Sequence, residues 1–170
     1  MTPRSMRGLS REMSFGIREA TPADAPVLAR LRYEFRHATG EPRESDDDFT
    51  RRCAGWMAAR LMDGEPWRCW VAEDDARVLG NVWLQLIEKI PNPSDEPERH
   101  AYLTNFYVIE AARGRGLGAR LLSTALDFCA TRDVQSVILW PTEESRALYL
   151  RRGFSRPDGL LELRLAQAPV

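Results

Sequence analysis

The sequence predicts an α+β domain built on a mixed sheet, and three observations carry that prediction. Strand-like and helix-like segments follow one another in the order β-α-α-β-β-β-α-β-α-β. The two strand segments of the hairpin over 67–90 are rich in Trp, Val and Ile, while the helical segments repeat apolar residues at three- and four-residue spacing. No internal repeat, low-complexity tract or second core interrupts the series. One domain over residues 14–170, preceded by a flexible extension over 1–13, is therefore expected.

Each element has its own local signal. Residues 14–20, SFGIREA, form a short first strand. Thr21 then caps a helix with Pro22 in its first position; Val27, Leu28, Leu31 and Phe35 line one face, and Gly40 ends it. A second helix starts after Ser45, with Asp46, Asp47 and Asp48 where the helix dipole favours anions and with Phe49, Cys53, Trp56, Met57 and Leu61 as its apolar stripe. Residues 67–90 read as a hairpin turning at Asp74-Asp75-Ala76-Arg77. A polar, proline-rich loop (91–99) leads to a strand over 100–109. Leu117, Leu121, Leu122, Ala125, Leu126 and Cys129 mark a helix over 117–130. The apolar run 134–140 predicts a strand buried on both sides. A short helix from Glu143 to Arg152, capped by Thr142 and stopped by Gly153, precedes a last alternating strand over 160–165.

Composition removes several classes of function. The chain has 170 residues, 44% hydrophobic and 29% charged, an ordinary globular balance. Its net charge of -1 argues against a general nucleic-acid binder, and no apolar run is long enough to span a bilayer. The basic N-terminus lacks the apolar core of a secretory signal, so a cytoplasmic location is expected; Met13 is a second conceivable start. Cys53, Cys69 and Cys129 show no CxxC pairing and read as buried free thiols; with His37 and His100 as the two histidines, no metal cluster is visible.

The stretch RGRGLG, Arg113 to Gly118, combines three glycines and two arginines at a strand-to-helix junction. Glycine costs backbone entropy and adjacent like charges repel, so something must compensate. The first turn of a helix carries N–H groups without internal partners, and with the dipole these make an anion site. Gly114, Gly116 and Gly118 remove Cβ atoms that would hold a bulky anion away, and Arg113 and Arg115 add fork-shaped donors suited to phosphate. A phosphate or pyrophosphate is the expected ligand. Gly118 is followed by Ala119 and Arg120, not by the Lys-Ser/Thr of a Walker loop, and the glycine spacing is wrong for a dinucleotide fingerprint.

YVIEAARGRGLGARLL resembles motif A of the GCN5-related N-acetyltransferases, with Arg113, Gly116 and Gly118 in the Arg/Gln-x-x-Gly-x-Gly/Ala pattern. VILWPTEESRALYLRRGF resembles the same family's motif B: a strand, a helix carrying Tyr149, then Gly153-Phe154. The two motifs lie in the family's order, and the element order from about residue 14 matches as well. Two positions depart from the pattern: Glu110 stands where many members have proline, and Thr142 where many have asparagine.

The resemblance implies an α/β/α fold with a mostly antiparallel central sheet and a splayed parallel pair, strands 100–109 and 134–140, that opens around acetyl-CoA. It implies a pyrophosphate on the backbone N–H groups of Gly114, Arg115, Gly116, Leu117, Gly118 and Ala119, a pantetheine arm pairing with the strand edge at Tyr107 and Val108, and an oxyanion held by the Val108 N–H. Tyr149 stands where the family keeps a general acid; a core aromatic beside Leu148 and Phe154 is the competing reading. His100 is of the residue type suited to a general base but equally suits a surface position, and Glu88 ends the neighbouring strand. No metal is implied.

The expected reaction is acetyl transfer from acetyl-CoA to a primary amine of a small molecule or peptide. Glu34, Glu41, Glu44 and Asp46 to Asp48 hint at a cationic acceptor, and Trp67, Trp70 and Trp83 line either an apolar slot or the core. A non-catalytic CoA-binding regulatory module and a toxin-type enzyme acting on aminoacyl-tRNA remain alternatives. The last strand and the Trp-rich hairpin are the surfaces through which a homodimer would form.

Overall fold

Five strands lie side by side in the order β1 (Gly16–Glu19), β2 (Trp67–Asp74), β3 (Arg77–Glu88), β4 (Arg99–Val108) and β5 (Val134–Ile138). The computed structural model describes residues 15–37, 44–75 and 77–165. The N-terminal extension, Met13, the helix stop at Gly40, Glu41 and the turn residue Ala76 lie outside them. The described residues group into two compact units, one up to Leu139 and one from Trp140.

In the first unit β1 to β4 pair antiparallel and β4 pairs β5 in parallel. Helix α1 (Ala25–His37) follows a 3-10 turn over Pro22–Asp24, and α2 (Asp46–Asp63) and α3 (Leu117–Ala130) complete the layers. Side chains alternate across the sheet. Cys69, Val71 and Trp83 point into one core with Leu28, Ala29 and Leu31 of α1 and Met57 of α2. Trp70 faces the other way and meets Phe128 of α3 at 5.2 Å between ring centroids. That face is closed by Leu117, Leu121, Leu122, Ala125 and Cys129, all buried. Trp56, Trp67 and Trp83 form an aromatic cluster at 5.2 to 6.2 Å, so Trp67, Trp70 and Trp83 all serve packing.

Two expectations need correction. The strand expected over 134–140 is the shorter β5, and it is not buried on both sides: Gln135 and Ser136 are exposed. It is the edge of the sheet, so only part of its surface has a neighbour to cover it. The strand expected over 160–165 does not form. Its alternation is strand-like, but a strand needs a ladder partner. In the described residues this segment pairs with none, leaving Leu161 94% exposed.

In the second unit, α4 (Glu143–Arg151) is capped by Thr142: the Ser145 N–H donates to Thr142 Oγ1 at 3.3 Å and the Thr142 N–H donates to Ser145 Oγ at 3.0 Å. Gly153, with φ of 88°, follows the helix.

An ion pair ties β1 to the start of α1. Arg18 donates two hydrogen bonds of 2.8 Å to the Asp24 carboxylate, which also accepts the Thr21 N–H at 2.7 Å. Arg18 holds the Asp24 carboxyl down at about 2, below its ordinary 3.8. A lowered carboxyl pKa stabilises the fold above the unfolded value, and that stability is lost as pH falls through the folded one. Asp24→Asn is expected to cost about 1–2 kcal/mol at neutral pH, reduced by the part-exposed guanidinium. In thermal melts the gap to the parent chain should close as pH drops from 3.8 towards 2.

Candidate functional site

β4 and β5 pair only from Arg99 to Tyr102 on the β4 side; the last pair is Tyr102 with Ile138, where β5 ends. On its other side β4 stays with β3 as far as Val108, which lies opposite Gly80. The next residue, Ile109, donates its N–H to Leu79 O at 2.9 Å. In an antiparallel ladder such a bonded pair alternates with one whose N–H groups point outward. The Val108 N–H therefore points away from β3, on the edge of β4 that no β5 residue pairs with.

A bulge sets this geometry. The β3–β4 register slips between Asn81 and Trp83, and Asn105 sits there with φ of 45°, a left-handed conformation that asparagine tolerates better than most residues. The wholly buried Asn81 donates from Nδ2 to the Asn105 carbonyl at 2.7 Å, satisfying a group that the slipped ladder leaves without its usual partner. Arg32 of α1 donates to Asn105 Oδ1 at 3.3 Å. Phe35, one turn further along α1, packs on Tyr107 at 5.5 Å. At Gly80, an added Cβ would come within 2.7 Å of the Tyr107 carbonyl oxygen, so only glycine allows β3 this close to the end of β4. Neither Asn81 nor Gly80 stood out in the sequence; a glycine inside an otherwise apolar strand was the available signal.

After β4 a 3-10 turn over Glu110–Ala112, anchored by buried Ala112, leads to the glycine-arginine stretch; Glu110 forms this turn without proline. Gly114 and Gly116 have φ of 76° and 80°, and Gly116 is the N-cap of α3. A Cβ at either position would meet no protein atom within 4 Å, so the constraint from the protein is dihedral. Leu117, Gly118 and Ala119 form the first turn of α3, which has no acidic residue and no capping side chain. By contrast, α2 has Ser45 and three aspartates, and α4 has Thr142 and two glutamates. An anion supplied from outside would complete the start of α3, which fits a diphosphate group.

The arginines differ in what they do. Arg113 Nε donates to the Val108 carbonyl at 3.1 Å and its guanidinium lies over the Tyr107 ring, so it braces the strand end. Arg115 is exposed beside the same turn. Arg120 donates to Phe15 O at 3.1 Å, tying α3 to the chain before β1.

His100 lies at the opposite end of β4, with Nδ1 2.8 Å from Ser136 Oγ. Eight residues of strand, at roughly 3.3 Å each, separate it from Val108 by about 25 Å. Tyr149, in the second unit, is buried on α4 and packs edge-on against Phe154 at 5.5 Å. Burial pushes its phenol up to about 12 against an opposing hydrogen bond with Ser145. The three thiols are free, and burial raises Cys69 well above the ordinary range and Cys129 to about 11, which disfavours a thiolate nucleophile.

Two glycine substitutions separate these contributions. Gly116→Ala should cost about 1–2 kcal/mol in a thermal or urea melt, because a side chain must adopt the left-handed conformation. Gly80→Ala should also displace the end of β4 and weaken coenzyme A binding about tenfold in a titration, as expected for losing roughly one well-placed hydrogen bond.

Residues 28–154 match the model of the Acetyltransferase (GNAT) family, a span that includes β4, the glycine-arginine turn and α4. An uncharacterized N-acetyltransferase, YhfO, of Bacillus subtilis is 26% identical over 85% of this chain and 93% of its own length. The mycothiol acetyltransferase of Beutenbergia cavernae is 34% identical over 56% of this chain, a match that spans 32% of that longer protein. Among solved structures, a GCN5-related N-acetyltransferase from Ralstonia eutropha superposes with a TM-score of 0.72 at 27% identity, covering 89% of this chain and 99% of the other. A predicted acetyltransferase from Clostridium acetobutylicum, crystallised with acetyl-CoA, gives a TM-score of 0.73 at 23% identity, covering 89% and 96%. With an open strand edge running into an uncapped helix start, and with a family model matched over most of its length, the chain belongs to the GNAT family of acetyl-CoA-dependent acetyltransferases.

Proposed function

We propose that this enzyme acetylates a primary amine of a small molecule or peptide, which attacks the thioester directly. The observation that carries the reading is the continuity between the outward-facing Val108 N–H and the uncapped start of α3. One end suits a carbonyl and the other a diphosphate, along a single stretch of backbone. Bound acetyl-CoA supplies an acetyl group activated as a thioester. Gly114 to Ala119 would hold the diphosphate, with charge from Arg115. Arg113 would keep Tyr107 and Val108 in register. The Val108 N–H would donate to the carbonyl oxygen as negative charge develops there.

We assign the acid role to Tyr149 from its place in motif B. At about 12, its phenol remains a hydrogen-bond donor throughout the working pH range. Complete proton transfer to a thiolate of pKa about 8.5 would be uphill by roughly 5 kcal/mol, so the phenol acts chiefly by hydrogen bonding to the departing sulfur. His100 is too far along β4 to take the amine's proton directly, and the proton is assigned to solvent at the open edge. Residues 14–170 are taken as one catalytic entity, working in the cytoplasm without nucleic acid or membrane; the homodimer remains part of this proposal.

Thiol release from acetyl-CoA across a panel of amines tests the reaction. Tyr149→Phe should lower kcat by about 10²-fold or more while coenzyme A affinity holds. His100→Ala should leave the pH profile in place. Full turnover in Tyr149→Phe would remove the acid role, and a displaced limb in His100→Ala would restore His100 as the base.

A further inference from the structure

Arg32 has no part in the chemistry above, yet its position is unusual. It lies half-buried on the face of α1 that meets β4, and its guanidinium donates to the Asn105 side chain at the bulge. Its other described neighbours are the Phe35 ring, 5.8 Å from the guanidinium carbon, and Cys53, Tyr102 and Arg36 within electrostatic range. Among the described residues no carboxylate lies within ion-pair distance of it. A guanidinium held in this way loses part of its hydration and gains only a neutral amide in return. Burial and the nearby Arg36 charge both depress its affinity for a proton.

Among the described acidic residues near this end of the molecule, Glu34 acts electrostatically on Tyr107, and those at the start of α2 are engaged there. Glu44 pairs with Arg52, and Asp48 pairs with Arg51 and accepts the Ser45 hydroxyl. Asp46 and Asp47 sit with Asp48 in the first turn of α2, where they complement its dipole. The charged group bonded to the bulge itself is the Arg32 guanidinium.

We infer that the acetyl acceptor is an amine carrying an oxyanion, a carboxylate or a phosphate ester, and that Arg32 receives that group. The inference rests on the acetyltransferase reading and names its substrate class. A guanidinium fork matches the paired oxygens of either group. Asn105 precedes Val108 by three residues, about 10 Å along the strand. An acceptor anchored at Arg32 therefore reaches the thioester when its amine stands several bonds from the oxyanion. Asn105 then has two uses: its carbonyl fixes the bulge and its side chain aims Arg32.

The test compares matched acceptors by thiol release from acetyl-CoA. The pairs are ω-amino acids of increasing length against their carboxamides, and a phosphorylated amino alcohol against the free alcohol. The charged member of at least one series is expected to have kcat/KM at least about tenfold higher, through KM. Which series responds tells carboxylate from phosphate. Arg32→Gln should abolish that preference and Arg32→Lys retain part of it, with coenzyme A affinity and melting temperature close to the parent chain. Equal use of charged and neutral partners, or a preference that survives Arg32→Gln, would overturn the inference. So would a protein that binds coenzyme A but acetylates no anionic amine. A parent chain that fails to bind coenzyme A would overturn the acetyltransferase reading beneath it.

Discussion

The geometry of the site depends on one departure from regular pairing: β4 runs on past Tyr102, its last partner on β5, while remaining bonded to β3 up to Val108. A regular sheet would bury the outward edge of β4 under the next strand. Here β5 ends opposite Tyr102, so among the described residues no strand pairs with the last residues of β4 on that side, and the bulge at Asn105 is held by the buried Asn81 amide. The backbone groups on that edge favour any ligand able to pair with them. Gly80 permits the close approach of β3 that keeps Tyr107 and Val108 fixed, and Phe35 and Arg113 brace them from the side-chain direction. The edge is thus set in place by the fold, which is the condition for stabilising developing charge without reorganisation.

The same economy appears at the helix termini. Helices α2 and α4 neutralise their own first turns with hydroxyl caps and acidic residues, whereas α3 begins at a left-handed glycine with neither. Completing a helix start from within the chain and leaving it open are alternatives, and among the described residues α3 lacks the first. Arg113 and Arg115 look equivalent in the sequence, but the first is spent on the Val108 carbonyl.

Much of the fold was legible because local signals agreed with the tertiary outcome. Ser45 and the three aspartates do start α2, and the apolar stripe of α3 does face the sheet. The two strand errors share a cause. Alternation and apolarity report what a segment can do, while pairing depends on a neighbour that the segment does not encode. β5 therefore emerged as an exposed edge, and 160–165 as extended chain without a ladder. The shape of the glycine-arginine turn was readable because positive φ selects glycine. Asn81, Asn105 and Gly80 were not, because their roles come from a bulge joining residues 24 positions apart. His100 had suitable chemistry in the sequence; only the strand's length placed it far from Val108.

Backbone amide hydrogen exchange with and without coenzyme A addresses the central claim most directly, because it reads the N–H groups that the site is built from. Bound coenzyme A should slow exchange in two segments, 104–109 at the open edge of β4 and 114–120 at the start of α3, and leave β1 and β2 unchanged. Protection of one segment without the other, or of neither under saturating ligand, would contradict the picture of a single stretch of backbone serving both ends of the cofactor.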